Sequence, residues 1–196
     1  MRLKEKVSII TGAASGFGEG IAKKFSKEGA KLILADINKD LLVKVSNGLD
    51  QDFFQVDVSN SSSMKKLSEY VLNKYGTIDI MVNNAGITHL PKPLEDVSEE
   101  EFDKVFEVNS KSVFLCGKFF VPHMKKEKKG SILNISSTAG LSPRPKLNWY
   151  NATKGWMITA TKAMAVELAP FNIRVNSLAP VAGETPLLKS FMGEDT

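Results

Sequence analysis

Tyr150 and Lys154 lie four residues apart in the stretch "WYNATKGW", residues 149 to 156. On a helix, positions i and i+4 share a face. A phenol and an ammonium so placed form either a plain surface pair or an acid whose proton is easier to remove. A free phenol has a pKa near ~10 and is a poor base at neutral pH. One cation about 5 Å away, at an effective dielectric of about 20, is worth on the order of 3 kcal/mol. That corresponds to roughly two pKa units. The spacing alone therefore predicts a lowered tyrosine pKa, provided the rest of the chain builds a site around the pair.

A second candidate site begins at "TGAASGFG", residues 11 to 18. Gly12, Gly16 and Gly18 let the backbone turn sharply and approach a ligand closely. A helix starting there offers free N–H groups and a partial positive charge, which suits a pyrophosphate. Asp36 follows 18 residues after Gly18. A carboxylate near that offset accepts hydrogen bonds from an adenosine ribose and repels a 2′-phosphate. Ser15 in the loop and Ile37 after the acid are neutral, so neither supplies the cation a 2′-phosphate needs. NAD is favoured over NADP. Asp57 either accepts from an adenine amino group or holds a turn.

These residues need elements to position them. Hydrophobic periodicity, caps and breakers predict strands at 6–11, 31–36, 53–58, 78–86, 130–136 and 173–180. Helices are predicted at 18–29, 38–49 capped by Asn38, 61–76 capped by serines and closed by Gly76, 99–128, and 149–169. Strict alternation implies a mostly parallel, doubly wound α/β sheet with helices on both faces. The helices at 99–128 and 149–169 are apolar around most of their circumference, so each should be buried on a second side. Another copy of the chain is the expected cover, as a homodimer or homotetramer.

The 196 residues fit a single domain, 42% hydrophobic and 24% charged, with net charge +4. The basic run "KKEKKG" (125–130) has no interleaved aromatics and reads as a solvated helix end, not a nucleic-acid patch. The lone Cys116 excludes an internal disulfide, and two histidines with one cysteine argue against zinc. "VSIIT" is too short for a signal core or a membrane span. A cytoplasmic, reducing location is expected.

"TGAASGFG" (11–18), "NNAG" (83–86), "NISS" (134–137) and "YNATK" (150–154), in this order, resemble the short-chain dehydrogenase/reductase family over essentially the whole chain. The likeness is to an NAD-type member similar to 3-oxoacyl reductases and glucose dehydrogenases. The resemblance implies a seven-stranded Rossmann-type sheet, NAD(P) binding and alcohol/carbonyl interconversion. It assigns Tyr150 as catalytic acid/base, Lys154 as its helper, Ser137 as holder of the substrate oxygen, and Asn109 as link to a proton-relay water. Asn109 on its own reads equally as a residue satisfying a local backbone group. The cofactor set implied is Gly12, Ser15, Gly16, Phe17, Gly18, Asp36, Ile37, Asp57, Val58, Asn84, Ala85, Gly86, Tyr150, Lys154, Pro180, Val181 and Thr185.

Two features depart from the family pattern. Its usual Pro-Gly is here "APVAGETPLL", with Val181 after Pro180. The chain stops at Thr196, which leaves the seventh strand and a last helix outside the sequence given. A substrate lid is expected to begin within 181–196. Candidate substrate-lining residues are His89, Leu90, Leu141, Pro143, Arg144, Trp149, Val181 and Leu187. Arg144 either meets an anionic group or is an ordinary loop arginine. Alternative functions are a 3-oxoacyl thioester (ACP or CoA) reductase using NADPH, and a non-catalytic dinucleotide-binding module.

Overall fold

The computed structural model describes residues 1–192. Six strands form one parallel sheet: β1 Val7–Thr11, β2 Lys31–Asp36, β3 Asp52–Gln55, β4 Ile80–Asn83, β5 Gly130–Ile135 and β6 Ile173–Leu178. Their order is β3-β2-β1-β4-β5-β6. That order reverses direction between β1 and β4, which leaves a crevice beyond the strands' carboxyl ends.

Successive strand residues point to opposite faces. Ile10, Leu32, Leu34 and Val82 therefore pack with Ala22 and Leu42, from helices α1 Gly16–Lys27 and α2 Lys39–Leu49. Ile9, Ile33, Ala35, Met81 and Ile132 pack on the other face with Met64, Leu67, Cys116, Phe120 and Leu168. Those side chains come from α3 Ser61–Tyr75, α5 Ser112–Glu127 and α6 Asn148–Leu168. Coverage on both faces explains why the strands read as apolar runs with no alternation.

Local chemistry moves several boundaries. β2 runs over the predicted residues, and Asn38 caps α2 by accepting from Leu41 N at 3.1 Å. The cap of α3 is Asn60, not a serine: its Oδ1 accepts from Ser63 N, while Ser63 Oγ accepts from Asp57 N. β3 stops at Gln55, short of the predicted 58, because Asp57 turns the chain by accepting from Ser59 N and Ser59 Oγ. α1 begins at Gly16, earlier than predicted.

The predicted helix 99–128 is two helices joined by a wider turn. α4 Glu99–Phe106 opens with a capping box between Ser98 and Glu101. Five residues, Glu107–Lys111, then form a π turn before α5. Among the described residues nothing covers the second side of these helices. Phe102, Phe106, Phe114, Trp156 and Val166 stay exposed.

After β6 the chain crosses in front of the glycine loop. A Cβ on Gly183 would stand 2.8 Å from the Phe17 ring, and one on Gly16 would stand 3.2 Å from Thr185. A short helix, α7 Leu188–Met192, follows. The predicted lid segment is described as far as Met192; residues 193–196 lie outside the described residues.

The tightest backbone approach lies where β1 meets α1. A Cβ on Gly18 would fall 2.0 Å from Gly12 O. Gly18→Ala is expected to cost about 1–3 kcal/mol through overpacking, read as a lower urea midpoint with unchanged slope.

Candidate active site

Thr11, at the end of β1, organises the crevice. Its Oγ1 accepts from Asn84 N and Ala85 N at 3.0 and 3.1 Å, and donates to Val82 O. Asn84 Nδ2 returns two bonds, to Thr11 O and Gly12 O. The loop after β4 is thus stitched to the glycine loop. Gly12 has φ +63°, and a Cβ there would lie 2.9 Å from Ala85 Cα. Asp36 ties in the far side, accepting from Ala14 N at 3.0 Å and from Asn38 N at 2.9 Å. Each oxygen spends one acceptor position on the protein and keeps another.

Tyr150 and Lys154 sit one turn apart on α6, both buried. Lys154 Nζ donates to Ile135 O at 3.0 Å and lies 5.8 Å from the Tyr150 ring centroid. Burial pulls the Lys154 ammonium down to about 8. Burial also raises the Tyr150 phenol, opposed by a hydrogen bond with Ser137 and by the charge of Arg144. The lowered tyrosine predicted from the spacing is therefore corrected. Burial works against the charged form of both groups, so the spacing that brings them together does not lower the phenol.

The neighbouring serines divide. Ser136 Oγ donates to Lys154 O at 2.9 Å, which anchors α6. Ser137 Oγ accepts from Ala139 N, starts a 3₁₀ turn at Thr138–Gly140, and lines the crevice. Asn109 is fully buried in the π turn. Its Oδ1 accepts from Ile87 N, and its Nδ2 donates to Ile87 O and Thr153 Oγ1, all within 3.0 Å. It clamps the loop after β4 to α6. A Cβ on Gly86 would meet Lys154 Nζ at 3.2 Å and Asn109 Oδ1 at 3.3 Å, so both groups border that bare glycine.

The crevice has a volume of about 520 Å³. A model of the short chain dehydrogenase family matches residues 6–195. The chain belongs to that family. The 3-ketoacyl-(acyl-carrier-protein) reductase of Brucella melitensis, solved with NADH, is 47% identical, with a TM-score of 0.94 over 96% of this chain and 80% of that one. The 3-oxoacyl-[acyl-carrier-protein] reductase of Thermotoga maritima is 45% identical over 95% of this chain and 78% of its own. The 4-formylbenzenesulfonate dehydrogenase of Comamonas testosteroni is 39% identical over 100% of this chain and 80% of its own. This short-chain dehydrogenase is an oxidoreductase whose relatives act on alcohol and carbonyl groups. The side-chain-free cradle at Gly12 and the helix start behind it fit the family's nicotinamide dinucleotide.

Of the residues singled out in the sequence for cofactor and catalysis, all but Gly18 and Asn109 line this one crevice. Gly18 supports the loop from beneath, and Asn109 supports the site from behind. The substrate set needs correction. Arg144, Val181 and Leu187 line the crevice; His89, Leu90, Leu141, Pro143 and Trp149 do not. His89 is buried with Nδ1 against Leu90 O, and Trp149 packs edge-on against Phe102. Sequence reasoning missed Thr11, Thr153 and Phe191. The Phe191 ring stands 5.1 Å from that of Tyr150, tilted by 68°. Thr11 opens a quoted motif and was legible in principle; Phe191 lies far along the chain with no periodic signal.

The lysine shift fixes a pH dependence. Below about pH 8 the folded protein holds a buried ammonium at a cost. Between about 8 and 10.5 it sheds the proton that the unfolded chain keeps, so this contribution to stability rises with pH. Wild type is expected to gain about 3 kcal/mol relative to Lys154→Met across that window, measured by urea unfolding at both ends.

Proposed function

We propose that the protein reduces a carbonyl group, and oxidises the matching alcohol, with NAD(H). One observation carries this reading: Tyr150, Lys154 and Ser137 converge in the crevice that also holds the glycine cradle. When bound, the nicotinamide cofactor delivers or takes the hydride. The chain's own residues handle position and proton. Ser137 Oγ and Tyr150 Oη hold the substrate oxygen. At neutral pH the raised phenol keeps its proton and Lys154 stays charged. That proton inventory suits reduction, in which Tyr150 donates to the oxygen as negative charge develops there. Lys154, whose ammonium carries protons, is the inward group from which Tyr150 regains its proton, and Asn109 Oδ1 offers an acceptor beside Gly86.

Asp36 supports NAD over NADP. Its carboxylate is fixed at the crevice wall, and no cation lies among residues 12–18 or 36–38. Gly12, Ser15, Gly16, Phe17, Ile37, Asp57, Val58, Asn84, Ala85, Gly86, Pro180, Val181 and Thr185 complete the cofactor contacts. A second reading, a 3-oxoacyl thioester reductase, is favoured by the relatives at 45% and 47% identity that carry that name. We further place the exposed aromatic side of α4–α6 against another copy, as a dimer or tetramer, because Phe102, Phe106, Phe114 and Trp156 form an uncovered face there. A single domain in a reducing, cytoplasmic setting agrees with one buried, unpaired cysteine; no helix among the described residues is long and apolar enough to cross a membrane.

Tyr150→Phe is expected to lower turnover by about 10²-fold or more with NADH affinity, read by fluorescence titration, little changed. A variant keeping a third of the activity would remove Tyr150 from the chemistry. Asp36→Ser is expected to raise NADP use relative to NAD by about tenfold or more, as a like charge is removed; the readout is the ratio of initial rates with the two cofactors, across secondary alcohols, sugars and hydroxyacyl thioesters.

A further inference from the structure

Charge is divided across the crevice by the strand order. Its two carboxylates lie on one half of the sheet: Asp36 ends β2 and Asp57 follows β3. The charged residues lining it from the other half, after β4 and β5, are Lys104, Arg144 and Lys154, all cationic. Lys154 is committed to Ile135 O and Tyr150. Arg144 is not committed: among the described residues it takes part in no ion pair.

The loop that presents Arg144 is stiff. Pro143 and Pro145 flank it, so φ is fixed on both sides and Arg144 itself is restricted to extended backbone. Its carbonyl accepts from Asn151 Nδ2 at 2.7 Å, one residue past Tyr150 on α6. Lys146, at φ +65°, turns the loop back, and its carbonyl accepts from Lys92 N. These ties register the loop to the turn of α6 that carries Tyr150. Leu147 and Phe191 pack with Tyr150, and Leu187 also lines the crevice. An exposed guanidinium on a backbone held this way, lining the crevice and with no ion pair among the described residues, is arranged to receive an anion.

We propose that Arg144 determines specificity, and that the substrate is a carbonyl compound with an apolar body and an anionic group remote from the reacting carbon. The proposal rests on the oxidoreductase reading above. Arg144 also acts on the phenol, so a change in rate alone is ambiguous. A comparison of paired substrates removes that ambiguity.

The test is steady-state reduction of a ladder of keto acids of increasing chain length, each beside its neutral carboxamide, by wild type, Arg144→Gln and Arg144→Lys. Any effect through Tyr150 or the fold is common to both members of a pair and cancels in their ratio. At the best chain length, wild type is expected to prefer the acid by about tenfold or more in kcat/KM, mainly through KM. Arg144→Gln is expected to bring the ratio close to one, and Arg144→Lys to keep part of it. Equal efficiency for acid and amide in wild type at every length overturns the proposal, as does a preference that survives Arg144→Gln; in both cases amide turnover leaves the oxidoreductase reading standing. No cofactor oxidation with any member overturns both.

Discussion

A buried ammonium, with one hydrogen-bond partner among the described residues, governs this site. Lys154 is 4% exposed, and its Nζ donates to the carbonyl of Ile135. Removing a cation from water costs several kcal/mol unless other groups offset it. Burial accordingly pulls the ammonium down to about 8. The protein keeps a buried cation at a cost to folding, an arrangement that clusters at functional sites. The order of titration on α6 follows from the same burial. The lysine gives up its proton before the tyrosine does, so at neutral pH the pair carries a phenol and an ammonium together.

Such a group holds its place only if α6 cannot shift. A chain of buried amides and hydroxyls fixes it. Asn83 Nδ2 donates to Asn134 Oδ1, and Asn134 Nδ2 donates to Thr161 Oγ1, each at 2.8 Å. β4, β5 and α6 are linked in one line. Ser136 and Asn109 add ties at Lys154 O and Thr153 Oγ1. At Gly140 the contact is backbone against backbone: a Cβ there would sit 2.6 Å from Lys154 C. Each polar tie contributes about 1 kcal/mol net, but leaving one partner unpaired costs more. The network therefore specifies position more than it adds stability.

The sequence made the layout legible because it depends on local periodicity and on glycines. The ends of β2, the Asn38 cap and the crevice-lining motifs could all be read from neighbouring residues. What could not be read depends on contacts distant in the chain. Asn60 displaced the serines as cap of α3 because Ser63 was already engaged with Asp57. The break at Glu107–Lys111 follows from the attachment of Asn109 to Ile87, 22 residues away. The tyrosine shift is not legible from spacing, which fixes distance but not desolvation, and desolvation is the larger cause here. His89 and Trp149 face away from the crevice for reasons of packing that linear order does not reveal.

The π turn holds one residue more than an α-helix needs to join the same faces, and Val105 before it and Val113 after it are both buried. The surplus goes with a fully buried Asn109 that reaches Ile87 and Thr153. A descendant that lost one residue here would keep its interior and forfeit the amide that grips the loop beyond β4. Within this lineage, a one-residue gap at that point would mark copies whose loop beyond β4 is no longer tied to α6, even where tyrosine and lysine persist.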